Sequence, residues 1–216
     1  MNVFKKYIPL FSDVWKEKYH LILAEEHLES LSKNIERFKN GNSDFQLPYF
    51  NEEIQFDRAK SFTLFLEIFE KKDSAESIVH QLEEISFEHW LNILGQRLTS
   101  ASIRDESAIP PLKSILIESC QKSFNNEITL GQRAWEKHVG RMEDEFWGEV
   151  KGNNQQKQKV VMEKIHHILD NQTWWNTFFH YKHHLVFEIR EKNGHGIRWS
   201  HEGTQLIGFL ETFINE

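Results

Sequence analysis

A chain of 216 residues and 25.8 kDa, 39% hydrophobic and 27% charged, has the size and balance of one folded domain, or a domain with an appendage, which excludes a disordered protein. Its 26 Lys and Arg against 33 Asp and Glu leave a net charge of −7, which disfavours nucleic acid and anionic lipid as partners. The single cysteine, Cys120, excludes an internal disulfide framework and points to a reducing, cytoplasmic setting.

Near the N-terminus the apolar stretch Tyr7 to Phe11 runs into Asp13 and Lys16, so no export signal is expected. Tyr7, Phe11, Val14, Leu21, Leu28, Leu31, Ile35 and Phe38 recur at three, four and seven residues, which predicts one long amphipathic helix or two abutting ones ending at Gly41. The segment 38–50 reads as a loop, and Asn51, Glu52 and Glu53 as the start of a second helix cored by Phe56, Phe62, Phe65 and Phe69. That apolar run, interrupted by Glu67, is far short of the roughly 20 residues of a membrane span. Asp73 with Glu76 predicts a capping box opening a helix with Ile78, Leu82, Ile85, Trp90, Leu91, Leu94 and Leu98 inward, kinked near Ser86.

Periodicity lapses over 99–111, an internal linker that ends in Pro110 and Pro111, after which a short helix should run to Phe124. Thr129 and Gln132 form a second capping pattern, and Leu130, Ala134, Trp135, His138, Met142, Phe146 and Val150 trace a helical stripe that Gly152 ends. A further helix is expected from about Gln155 to Asp170, then a short one capped by Thr173 and carrying Trp174, Trp175, Phe178 and Phe179. From Leu185 the period falls to two, with Asn193-Gly194 as a hairpin signal and a second turn around Gly203. The expected fold is therefore a single, mainly α domain over 1–216: about seven helices in a bundle over 1–182, closed by a three-stranded antiparallel meander over 183–216.

The C-terminal third, 151–216, carries seven of the twelve histidines and is nearly balanced in charge, with 8 basic against 7 acidic residues. Within it, Gly194-His-Gly-Ile-Arg-Trp-Ser200 places two glycines beside Arg198 and Trp199, the side-chain types most enriched at binding hot spots. His195, Arg198, Trp199, Trp174 and Trp175 are the expected binding residues. Adjacent tryptophans on a helix cannot face one core, so Trp174 or Trp175 needs a second neighbour. His180, His183 and His184 form the densest imidazole cluster and an alternative metal site. Arg190, Lys192, Arg198 and Trp199 are the residues that a nucleic-acid-binding reading would use. Cys120 is expected to be a packed small hydrophobe.

Arg133-Ala-Trp-Glu-Lys-His138 resembles the Arg-x4-His motif of the HEPN ribonucleases, helical proteins in which this pair lies at a dimer cleft and acts on RNA. Ala134 stands where a polar residue usually follows the arginine. The resemblance implies Arg133 and His138 as catalytic residues. Glu17 with His20 and Glu163 with His166 resemble, in spacing, the Glu-x-x-His pairs of ferritin-like dimetal proteins. No P-loop, GxGxxG, GxSxG or HExxH occurs. Absent catalytic motifs, acidic balance and excess aromatics together predict a non-catalytic interaction protein, an accessory subunit or immunity-type inhibitor. It would need no cofactor and bind a protein partner through its C-terminal third, with a homo-oligomer as a further option. The alternative is an enzyme, metal-dependent through the histidine cluster or HEPN-like through Arg133 and His138.

Overall fold

The computed structural model describes residues 3–42, 49–141 and 145–213. It divides into two compact units, Met1–Ile109 and Pro110–Glu216. Among the described residues there are eight α-helices and four strands.

In the first unit the N-terminal stripe resolves into α1 (Asp13–Tyr19), a 3-10 turn and α2 (Glu25–Lys39), with Gly41 beyond in a left-handed conformation. Helix α3 (Arg58–Glu70) is capped by Asp57, six residues after the expected start at Asn51. The single helix expected after Asp73 is broken into α4 (Ala75–Glu84), capped by Ser74, and α5 (Phe87–Leu94). Trp90 of α5 is fully buried among Phe4, Phe65, Phe11 and Trp15. Glu53 pairs with Arg97 in the interior and Arg58 donates to the Gln96 carbonyl. Burial and the neighbouring Arg97 lower the Arg58 pKa to about 9.

The second unit begins at the proline pair with α6 (Lys113–Gln121). Thr129 caps α7 (Leu130–Val139) by accepting from the Gln132 amide. The stripe expected to continue to Val150 stops at Gly140, which caps the helix end, so Phe146 and Trp147 lie on a separate 3-10 turn. Met142 of that stripe lies outside the described residues. Asn153 and Gln156 form a reciprocal capping box for α8 (Asn154–Asn171). No helix among the described residues is long and apolar enough to cross a membrane.

The sheet is a four-stranded antiparallel meander, β1 (Gln172–His180), β2 (His184–Glu191), β3 (Gly196–Ser200) and β4 (Leu206–Leu210), paired in chain order. The three-stranded expectation is corrected by β1, read from the sequence as a short helix. Thr, Trp and Phe dominate Thr173–Phe179, and such residues suit a pleated surface. Period-two alternation is hidden there because both faces of β1 are buried from Trp174 to Thr177. Trp174 and Trp175 therefore point to opposite faces and both are buried, which meets the requirement for two neighbours.

Candidate active site

Cross-strand register sorts the sheet into two dissimilar faces. Trp175, Ile189, Ile197 and Phe209 lie opposite one another across the four strands, as do Thr177, Phe187 and Trp199 across three. This apolar face meets the helices, α7 against β4 and α8 against β2 and β3. Trp147 sits edge-on to Phe209 at 4.9 Å between ring centroids. Cys120 is fully buried, and burial pushes its thiol up to about 11. At that value it is a packing residue and not a nucleophile.

The other face carries Trp174, Asn176, Phe178 and His180 from β1, Val186, Glu188 and Arg190 from β2, and Gly196, Arg198 and Ser200 from β3. Its centre is a three-residue ionic cluster. Glu188, 2% exposed, accepts from Arg190 Nε at 2.5 Å on one carboxylate oxygen. On the other it accepts from Arg198 Nε at 2.7 Å and Nη2 at 2.5 Å. Arg190 is further tied by its Nη1 to the carbonyls of Gly194 at 2.6 Å and Glu211 at 2.5 Å, and its guanidinium lies 4.0 Å from the Phe213 ring centre. Burial lowers the Arg190 pKa, with Glu188 opposing the shift.

Gly196 makes this packing possible. A Cβ there would fall 2.2 Å from the Ile189 carbonyl oxygen and 2.6 Å from Arg190 Cγ, so only glycine lets the Arg190 stem lie across β3. Two guanidiniums on one carboxylate leave a surplus positive charge on the face. Arg198 holds it where solvent can reach: its side chain is 17% exposed, and Nη1 has no partner among the described residues. A guanidinium already oriented by one carboxylate, with donors to spare, is suited to an oxyanion such as a phosphate.

His180 lies at the end of β1 on the same face. Its pKa is lowered by partial burial, then by repulsion from Arg198, His183 and Lys182, with Glu188 acting the other way. Nδ1 accepts from the Lys182 amide at 3.2 Å, so the neutral ring carries its proton on Nε2. The face thus combines a fixed cation with an uncharged imidazole donor.

The remaining expected site residues are scattered. Trp174, Trp175 and Trp199 are core residues on the two faces. His195 is buried in the β2–β3 connection, its ring stacked 4.0 Å from Phe146 and its Nδ1 2.9 Å from Asn193 Oδ1. Arg133 is exposed, with its guanidinium 4.1 Å from the Phe124 ring centre. His138 is turned inward between Trp147 and Phe209, with Nε2 2.5 Å from Glu211 Oε1. Five positions at about 100° each put Arg133 and His138 about 140° apart on α7, on different faces. His180 and His183 stack at 5.1 Å, while His184 adopts a left-handed backbone, and no metal-holding group of three His, Cys, Asp or Glu occurs among the described residues. Glu17 and His20 belong to the first unit, Glu163 and His166 to the second. Glu188 was not among the expected site residues; its signal was an acid between apolar neighbours, two residues before Arg190 on the same strand.

Residues 117–211 match the family model of the CdiA C-terminal tRNase toxin domain. The matched span runs from within α6 to just past β4 and contains every residue of the charged face named above. The crystal structure of the toxic C-terminal tip of CdiA from Pseudomonas aeruginosa, solved in complex with an immune protein, is 26% identical, with a TM-score of 0.39 over 44% of this chain and 99% of that chain. No curated protein matches the chain. The family match overturns the expectation of a non-catalytic accessory or inhibitor protein, because the matched family is one of RNA-cleaving domains. The residues of the charged face come from three strands and leave no contiguous motif in the sequence.

Proposed function

We propose that the second unit is a ribonuclease domain that cleaves tRNA on the charged face of its sheet. The observation that carries this reading is the match of residues 117–211 to a tRNase toxin domain family. The cluster of Glu188, Arg190, Arg198 and His180 within that span supports the location. The chain's acidity does not oppose it: residues 110–216 hold 13 Lys and Arg against 14 Asp and Glu, so nearly all the excess acid belongs to the first unit.

Cleavage of RNA by its own 2′-hydroxyl needs the attacking oxygen to lose a proton, charge on the phosphoryl oxygens to be offset, and the leaving 5′-oxygen to gain a proton. Arg198 supplies the offsetting charge, held in place by Glu188, which is itself anchored by Arg190. His180 donates a hydrogen bond from Nε2 toward a phosphoryl oxygen of the same phosphate; the proton lost by the 2′-hydroxyl passes to solvent water, and water returns one to the leaving 5′-oxygen. Glu188 and Arg190 are positioning residues.

The test is incubation of the full chain with total tRNA and mapping of the product ends. Discrete cuts with 2′,3′-cyclic phosphate and 5′-hydroxyl ends are expected, retained in Arg133→Ala and lost in His180→Ala with an unchanged circular dichroism spectrum. Intact tRNA at every enzyme concentration, or loss of cutting in Arg133→Ala with retention in His180→Ala, would refute the assignment.

A further inference from the structure

The turn joining β1 to β2 leaves an unusual row of rings in water. Tyr181 is 85% exposed; its ring centre lies 4.7 Å from that of His180, which in turn stacks on His183 at 5.1 Å with 25° between planes. Lys182 Nζ lies 5.2 Å from the Tyr181 ring centre. His184 closes the turn at φ 58°, a left-handed backbone that residues other than glycine seldom adopt. Strain of this kind concentrates where a segment is shaped for contact. A tyrosine so exposed contributes almost nothing to folding. The row leads from solvent directly to His180 and the Arg198 face.

We infer that this turn receives an unstacked base from a single-stranded loop of the RNA substrate, with Tyr181 as the ring on which that base stacks and Lys182 beside the adjoining phosphate. The inference rests on the ribonuclease reading of the same face. Sequence-selective recognition of RNA relies on bases splayed from loops and stacked on aromatic side chains, because the grooves of an RNA duplex hide their edges. A base seated on Tyr181 places the neighbouring phosphodiester toward His180 and Arg198, so the turn selects which bond is cut.

The test uses a fluorescently labelled single-stranded RNA oligonucleotide with 2′-O-methyl substitution throughout, which cannot be cleaved, and the duplex of the same modified strand as comparison. Base–aromatic stacking of about 1–3 kcal/mol, at about 1.4 kcal/mol per factor of ten, predicts that Tyr181→Ala weakens single-strand binding about 5- to 150-fold. Tyr181→Phe should bind like the native chain, and duplex binding should not change. Native-like binding by Tyr181→Ala, while the native chain still cuts tRNA, overturns this inference and leaves the ribonuclease reading intact. No binding and no cutting by the native chain overturns both.

Discussion

Replacing Glu188 with alanine should be among the most damaging single changes in the second unit. The carboxylate accepts three charge-assisted hydrogen bonds, and without it Arg190, whose side chain is 9% exposed, keeps only carbonyl partners. Leaving a buried charge uncompensated costs about 3–5 kcal/mol, a large share of the roughly 5–15 kcal/mol that holds a domain together. With a urea dependence near 2 kcal/mol per molar, the unfolding midpoint should fall by about 1.5–2.5 M. Native-state hydrogen exchange read on peptides spanning 184–200 assigns the loss to this sheet and separates it from unfolding of the helical unit. Glu188→Leu combined with Arg190→Met, which replaces the buried pair by apolar groups of similar size, should recover most of the stability without restoring cleavage. A loss below about 1 kcal/mol for Glu188→Ala would refute the reasoning, since it would mean that Arg190 does not need this counter-charge.

Other consequences follow from the same structure. Gly196→Ala drives a methyl into the Ile189 carbonyl and the Arg190 stem, so it should cost about 1–3 kcal/mol and lower cleavage; equal stability and activity in urea titration and tRNA assay would contradict the packing described. Protonation leaves the Nε2 donor of His180 in place, so cleavage should not fall as pH decreases through its titration, which lies below the usual 6.5; a falling low-pH limb that His180→Gln lacks would contradict the donor role. In the first unit, burial lowers the pKa of His27, so the unfolded chain binds the proton more readily. Its contribution to stability is therefore full above about pH 6.5 and lost as pH falls through the lower folded value. Thermal unfolding of His27→Gln should show a weaker fall between pH 7 and 5 than the native chain. Binding of the uncleavable single strand, with Arg198 and Lys182 as its two phosphate contacts, should follow a log–log salt slope of about −1.4; a slope near zero would exclude them.

Much of the scaffold was legible in the sequence, and the site mostly was not. Thr129 and Gln132 marked the start of α7, and Asn193-Gly194 marked the β2–β3 reversal, because caps and turns depend on one or two residues with fixed local chemistry. The register was hidden by one position. A two-residue turn at Asn193-Gly194 would pair Glu188 with Trp199, whereas the loop has three residues, Lys192 to Gly194, with Gly194 at φ 95°, and pairs Glu188 with Arg198. That single step puts the arginine on the face of the carboxylate and sends Trp199 to the core. Period-two alternation in β2 likewise does not show that the strand is buried on both faces from Val186 to Glu191. The strand Gln172–His180 escaped notice for the same reason, and with it the placement of His180 beside Arg198.

The most direct measurement is tRNA cleavage by the full chain compared with Arg198→Ala and Arg198→Lys at matched stability. The account predicts discrete cleavage by the native chain, a loss of at least 100-fold, about 2.7 kcal/mol of transition-state stabilisation, in Arg198→Ala, and only partial recovery in Arg198→Lys, which cannot reproduce the bidentate fork. Full activity in Arg198→Ala would contradict the placement of the active site on this face.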